Sequence, residues 1–170
     1  MKPGAGKRKG SSFERWVAKQ LSLWLTHGQD HTQLIRSVLS GGWSERTARQ
    51  VGDLSPNGPT GESFRKVFGV ECKHQREIDL WDLWTLQDGG KIGRWWKKLC
   101  AEVGTTPCLS EPMLVMRANR RPDMVALRTR FLQERGLPVD APLANIWRYG
   151  LTLLPFSAML DMPPEWFLET

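Results

Sequence analysis

Val51-Gly52-Asp53 and, beyond the turn Ser55-Pro56-Asn57-Gly58-Pro59-Thr60-Gly61, Phe64-Arg65-Lys66-Val67-Phe68-Gly69-Val70-Glu71-Cys72-Lys73 are the two stretches whose reading decides the fold. The second reads as a strand. Phe68, Val70 and Cys72 fall on one face, and Val67, Gly69, Glu71 and Lys73 on the other. Residues two apart in a strand project from the same face roughly 6–7 Å apart, which sets the Glu71 carboxylate beside the Lys73 ammonium. Asp53 lies in a short candidate strand from Val51 to Leu54, and an antiparallel return through the turn predicts its carboxylate next to Glu71. Two carboxylates on neighbouring strands form a hard oxygen site suited to Mg²⁺, with Mn²⁺ expected to substitute.

Upstream, Ser11 or Ser12 caps a predicted helix whose apolar stripe is Phe13, Trp16, Val17, Leu21, Trp24 and Leu25, running to about Thr26. Glu14 sits beside that stripe and is expected to lean over the sheet edge as a third carboxylate. Such a set holds divalent ions against a scissile phosphate while a lysine orients the attacking water or offsets developing charge. Residues 2–12 read as a basic, glycine-rich arm. Leu34, Ile35, Val38 and Leu39 suggest a short helix ended by Gly41-Gly42.

Downstream, Ile92, Trp95, Trp96, Leu99, Cys100 and Val103 predict a helix that stops at Gly104. Two short strands follow, Met113–Met116 and Met124–Leu127, joined by Asn119-Arg120-Arg121-Pro122, and residues 128–136 suggest another helical turn. The order predicts an α/β fold with a small mixed β-sheet flanked by helices over residues 1–136. Residues 137–170 hold five of the eleven prolines and read as an acidic C-terminal extension.

The 170 residues carry a net charge of +6, unevenly spread. Residues 1–136 have 23 basic and 14 acidic side chains, whereas 137–170 have Arg148 against four acids. A basic body suits a polyanion, with DNA the leading partner. Lys91, Arg94, Lys97 and Lys98 share the helix face turned away from Trp95 and Leu99 and are candidate DNA contacts, joined by Arg117, Arg120 and Arg121 near the following turn. No apolar run approaches the roughly 20 residues of a membrane span, and the basic N-terminus leads into no apolar segment. Three cysteines form no disulfide framework, so a cytoplasmic protein is expected, and Cys100 and Cys108 read as buried apolar groups. His27 and His31 stand at i, i+4, but Gly28 between them argues against a metal pair. His74 reads as a strand-end surface residue, and the nine tryptophans chiefly as core packing, with base stacking the lesser option.

Arg8-Lys9-Gly10-Ser11-Ser12-Phe13-Glu14-Arg15 resembles the opening of archaeal-type Holliday-junction resolvases, in which a basic stretch precedes a helix-borne Glu-Arg pair. Val51-Gly52-Asp53 followed by Val70-Glu71-Cys72-Lys73 looks like that family's metal-binding aspartate and Glu-x-Lys strand, within the PD-(D/E)XK nuclease superfamily. Gly90-Lys91-Ile92-Gly93-Arg94 and its helix resemble the downstream elements, so the likeness spans about residues 7–127. It implies a restriction-endonuclease-like core and a Mg²⁺-dependent, dimeric, structure-selective endonuclease of phage or prokaryotic source. Glu14, Asp53 and Glu71 would be metal ligands and Lys73 the catalytic lysine, with Lys7, Arg8, Lys9 and Arg15 on DNA phosphates. Gly52 stands where the family has proline, the segment between Thr26 and Val51 is long, and residues 137–170 have no counterpart. Two other readings stand beside it: a duplex-specific restriction or repair endonuclease, and a non-catalytic DNA-binding module on a nuclease-like fold.

Overall fold

The computed structural model describes residues 5–37, 51–106, 111–137 and 144–168. Helix α1 (Ala5–Leu25) buries Phe13, Val17, Ala18, Leu21, Trp24 and Leu25, the stripe expected from the spacing. It begins at Ala5, so Lys7, Arg8 and Lys9 lie in its first turns and not in an arm. Leu34–Arg36 forms a strand, β1, where a helix was expected. It pairs antiparallel with β2 (Leu54–Pro56), which leaves too few residues for a helical repeat. Gly41-Gly42 falls outside the described residues.

The predicted turn and the start of the predicted strand are instead helix α2 (Pro59–Val67). Pro59 occupies its start, where the missing N–H costs nothing, and Phe64 turns into the core. Strand β3 therefore begins at Phe68 and runs to Gln75. Helix α2 reverses the chain, so Gly52 meets Val70 as a parallel bridge and the expected antiparallel return does not form.

A short helix α3 (Asp82–Thr85) and helix α4 (Gly90–Gly104) carry the chain to β4 (Glu111–Ala118). Then come β5 (Met124–Arg128), α5 (Thr129–Glu134), β6 (Ala144–Ile146), a 3₁₀ turn over Trp147–Tyr149, β7 (Leu151–Pro155), α6 (Phe156–Leu160) and α7 (Glu165–Leu168). Five strands form one mixed sheet in the order β3-β4-β5-β7-β6, parallel between β3 and β4 and antiparallel elsewhere. Helices α1, α2, α5, α6 and α7 cover one face, where Phe13, Phe64, Phe68, Phe131 and Phe167 meet. Helices α3 and α4 cover the other, where Leu83, Ile92, Trp96 and Leu99 pack on Leu114, Met116 and Leu153. This is the mixed α/β core expected, consistent with a restriction-endonuclease-like fold.

Residues 144–168 differ from the separate extension read from their prolines and acids. They supply two of the five strands, and β7 lies inside the sheet between β5 and β6. Pro155 ends β7 and opens α6, and Pro164 immediately precedes α7, so two of these prolines mark element boundaries. The tryptophans also divide. Trp24 and Trp96 are buried and Trp16 and Trp95 half-buried, but Trp81, Trp84, Trp147 and Trp166 are exposed.

Ending the chain at residue 143 should leave it unfolded, with no cooperative thermal transition. Leu151, Leu153, Leu154 and Phe156 are buried, and at ~1.5–3 kcal/mol each their loss rivals the roughly 5–15 kcal/mol that holds a whole domain. A cooperative transition in the truncated chain, followed by circular dichroism, would return residues 144–168 to the status of an appendage.

Candidate active site

Alternation along β3 decides which side chains face which layer. Val70 and Cys72 pair with Met113 and Val115 and point into the α1 side. Glu71 and Lys73 pair with Leu114 and Met116 and project toward the α4 side. Strand β3 is an edge of the main sheet, so both polar side chains stand at its margin, Glu71 17% and Lys73 27% exposed. Lys73 Nζ donates a hydrogen bond to Glu71 Oε1.

Asp53 reaches the same margin through backbone contacts. Its N–H donates to Val70 O at 2.7 Å, its carbonyl accepts from Ser37 N at 2.7 Å, and its Oδ2 accepts from Cys72 N at 2.8 Å. Residues 51–54 thereby cross the sheet edge, with Val51 packed in the α4 layer and Leu54 in the α1 layer. Gly52 makes the crossing possible. It sits at φ +89°, and a Cβ there would lie 2.1 Å from Val70 O. Proline, fixed near φ −65°, could not adopt this backbone, which accounts for glycine where the family has proline.

Glu14 comes from the α1 layer, and Arg36 Nε donates to its Oε2. Its side chain is only 12% exposed. Burial, then the Glu71 charge, then Glu14 push the Asp53 carboxyl up to about 7, against the pull of the Cys72 N–H and Lys73. Burial opposes the charge on Lys73, but Glu71 and Asp53 outweigh it and hold the ammonium above its ordinary range. Cys72, wholly buried beneath these carboxylates, is pushed far up and stays a thiol. Among the described residues no three His, Cys, Asp or Glu side chains already form a metal-holding cluster. The Glu14 and Glu71 carboxylates are engaged by Arg36 and Lys73. The donor set nevertheless fits a hard divalent cation, since Asp53, Glu71 and Glu14 are hard oxygen donors and the charges of Glu71 and Glu14 add to burial in lifting Asp53.

The other predicted residues scatter. Arg15 is exposed on α1. On α4, Lys91 is exposed, Arg94 pairs with Asp88 at 2.5 Å, Lys98 with Glu102 at 3.5 Å, and Lys97 stands 5.1 Å above the Tyr149 ring. Arg117 is a packing residue, held by Asp123 at 2.6 and 2.7 Å and stacked on Phe13 and Trp16. Arg120 and Arg121 stay exposed on the β4–β5 turn, and the Asn119 N–H reaches back to Arg76 O beyond the end of β3. His74 stands one residue before the end of β3 and is half-buried. Its ring packs on Phe13, with Nδ1 buried and unpartnered and Nε2 3.3 Å from Asn119 Oδ1. His27 follows the end of α1 at φ 51° and pairs with Glu165, so the i, i+4 spacing to His31 is not helical. Cys100 is half-buried, and Cys108 falls outside the described residues. Arg36 is the functional candidate that pattern reading missed, because a three-residue strand carries no periodicity to mark it.

An edge strand bearing Glu-x-Lys, an upstream aspartate pinned beside it and a helix-borne glutamate on a five-stranded mixed sheet are the arrangement that the resemblance to PD-(D/E)XK nucleases implies. The chain belongs to a phage family of that class, described as "Phage putative PDDEXK endonuclease", whose model matches residues 5–142. PD-(D/E)XK nucleases generally depend on a divalent metal and act on DNA. No curated protein and no solved structure matches the chain. Among the described residues no helix is long and apolar enough to cross a membrane.

Two outcomes follow from this geometry. A carboxyl raised in the folded state costs stability once pH exceeds its unfolded value. Asp53 therefore destabilises the metal-free fold progressively as pH rises from about 4 through about 7. Asp53→Asn should raise metal-free stability at pH 8 by about 1–3 kcal/mol and by almost nothing at pH 4, and the same effect at both pH values would show that burial and the neighbouring charges do not raise the Asp53 carboxyl. Gly52→Ala should cost about 2–4 kcal/mol in urea unfolding, and a neutral result would mean that the close approach to Val70 is not obligatory.

Proposed function

We propose that the chain is a Mg²⁺-dependent, structure-selective DNA endonuclease that hydrolyses phosphodiester bonds at four-way or otherwise branched junctions, acting as a homodimer. The observation that carries the hydrolytic reading is the meeting of Asp53, Glu71 and Lys73 at one sheet margin, with Asp53 lifted to about 7 by burial and its neighbours. Asp53 and Glu71, with Glu14 from α1, would hold the cation. When bound, a divalent cation supplies Lewis-acid polarisation of the scissile phosphate and a lowered pKa for water.

The chain's own groups do the rest. The charged Lys73 ammonium has three N–H donors, one of them engaged by Glu71, and offers the others to the attacking water or to the charge that grows on the phosphate oxygens. Arg36 is a positioning residue that fixes the Glu14 carboxylate at the margin. Exposed Arg15 on α1 and Lys91 on α4, with Lys7, Arg8 and Lys9 at the start of α1, are the proposed phosphate contacts. Arg120 and Arg121 extend them past the end of β3. Arg94 and Lys98 join only by leaving Asp88 and Glu102.

Branch selectivity rests on the resemblance of residues 8–15 and the ordered motifs to junction resolvases. A two-fold dimer would bring two sites to opposing strands of a nearly two-fold junction. The test compares a four-way junction with a matched linear duplex, each with Mg²⁺ and with EDTA. Paired, Mg²⁺-dependent nicks confined to the junction are expected. Asp53→Ala and Glu71→Ala should abolish them while junction binding persists, Lys73→Ala should slow them about a hundredfold or more, and Arg36→Ala about tenfold or more. Equal cutting of both substrates would reassign the protein as a duplex endonuclease. Binding without cutting under any metal would make it a DNA-binding module.

A further inference from the structure

A second cluster of chemistry-bearing side chains lies on the α4 side of the sheet and plays no part in the site above. Trp81 is 72% exposed and Trp84 49%, their rings 5.8 Å apart and tilted by 56°. Trp147, also 72% exposed, opens the 3₁₀ turn that is tied to the loop after these two. Its neighbour Arg148 donates to Gln87 O at 2.6 Å, and Tyr149 Oη donates to the same carbonyl at 3.3 Å, tying the 3₁₀ turn to the loop after α3. Trp96 Nε1 donates to Tyr149 O at 2.9 Å and anchors that turn to α4.

Folding gains nothing from leaving three indoles in water. Each is the largest apolar side chain available and could have joined the core. The cations around them are equally underused. Lys97 and Arg148 flank the Tyr149 ring at 5.1 and 5.5 Å, and neither forms an ion pair among the described residues. Of the nearby carboxylates, Asp88 holds Arg94 and caps Gly90, Asp79 accepts from the Trp81 N–H, and Asp82 lies against Gly90, so none of the three pairs with Lys97 or Arg148. Exposed π faces beside cations that form no ion pair match a strand that offers phosphates and unstacked bases together. A protein partner would satisfy the indoles but leave the cations unanswered.

We infer that Trp81, Trp84 and Trp147, with Lys97 and Arg148, form a stacking platform for unpaired DNA bases. It takes up a single-stranded segment of the substrate on the face toward which Glu71 and Lys73 project. The inference rests on the reading of the chain as a DNA nuclease. Trp147 and Arg148 lie beyond the residues matched by the family model, and Trp81, Trp84 and Lys97 within them.

The test measures binding and cleavage separately on the full-length protein. Labelled oligothymidylate is titrated in EDTA and followed by anisotropy, with a blunt duplex as reference, and nicking of a fully paired four-way junction is timed with Mg²⁺. The Trp81→Ala/Trp147→Ala double variant should bind oligothymidylate about tenfold or more weakly, with duplex affinity and nicking rate unchanged. Trp81→Phe/Trp147→Phe should recover most of the lost affinity, which separates stacking from a folding defect. Unchanged oligothymidylate affinity in the alanine variant overturns the proposal, as does an equal loss on duplex. Should the wild type sediment as a dimer that the alanine variant splits without loss of oligothymidylate affinity, the surface is a contact between two copies, and the proposal again fails. A wild type that nicks no DNA but binds oligothymidylate through these tryptophans would overturn the nuclease reading and leave the platform standing.

Discussion

The approach of the Gly52 backbone to Val70 is the constraint on which the rest of the structure depends. It holds two chain segments, separated by a helix, at a distance that tolerates no side chain. The Asp53 N–H on the Val70 carbonyl and the Asp53 carboxylate on the Cys72 N–H complete the attachment. An edge strand normally shows unpaired backbone groups to solvent. Here part of that row is used to fix a carboxylate, so one contact both shields the edge and builds the site.

The site sets charge against burial. Three carboxylates share a margin where water reaches only in part, and two cations, Lys73 and Arg36, offset them. A core made for stability alone would not place Asp53 where its ionisation is opposed by burial and by two neighbours. Perturbed ionisation of this kind clusters at functional sites. The exposed tryptophans across the molecule make the same point in apolar terms, because area that could have stabilised the fold is held in water.

Much of this was readable from side-chain periodicity. The alternation of Phe68, Val70 and Cys72 against Glu71 and Lys73, the 3.6-residue stripe of α1 and the α4 helix are local patterns, and local patterns survive into the fold. The errors came where tertiary contacts overrode them. Pro59 reads equally as a turn or as a helix start, and only the packing of Phe64 decides. Leu34–Arg36 is too short for any period, so Arg36 stayed invisible. The prolines of residues 137–170 imitate a linker, yet Leu151, Leu153 and Leu154 bury their side chains in the middle of a sheet. Which of nine tryptophans face solvent was equally unreadable, since exposure follows from how layers stack and not from spacing.

Strand β7 is among the last segments of the chain and yet an interior strand of its sheet. During synthesis the residues of the site leave the ribosome early, but the sheet that supports them cannot close until Pro155 has emerged. A chain caught part-way through translation would carry Asp53, Glu71 and Lys73 on an unfinished layer. The order of strands thus makes the layer beneath the candidate site depend on a segment synthesised long after it.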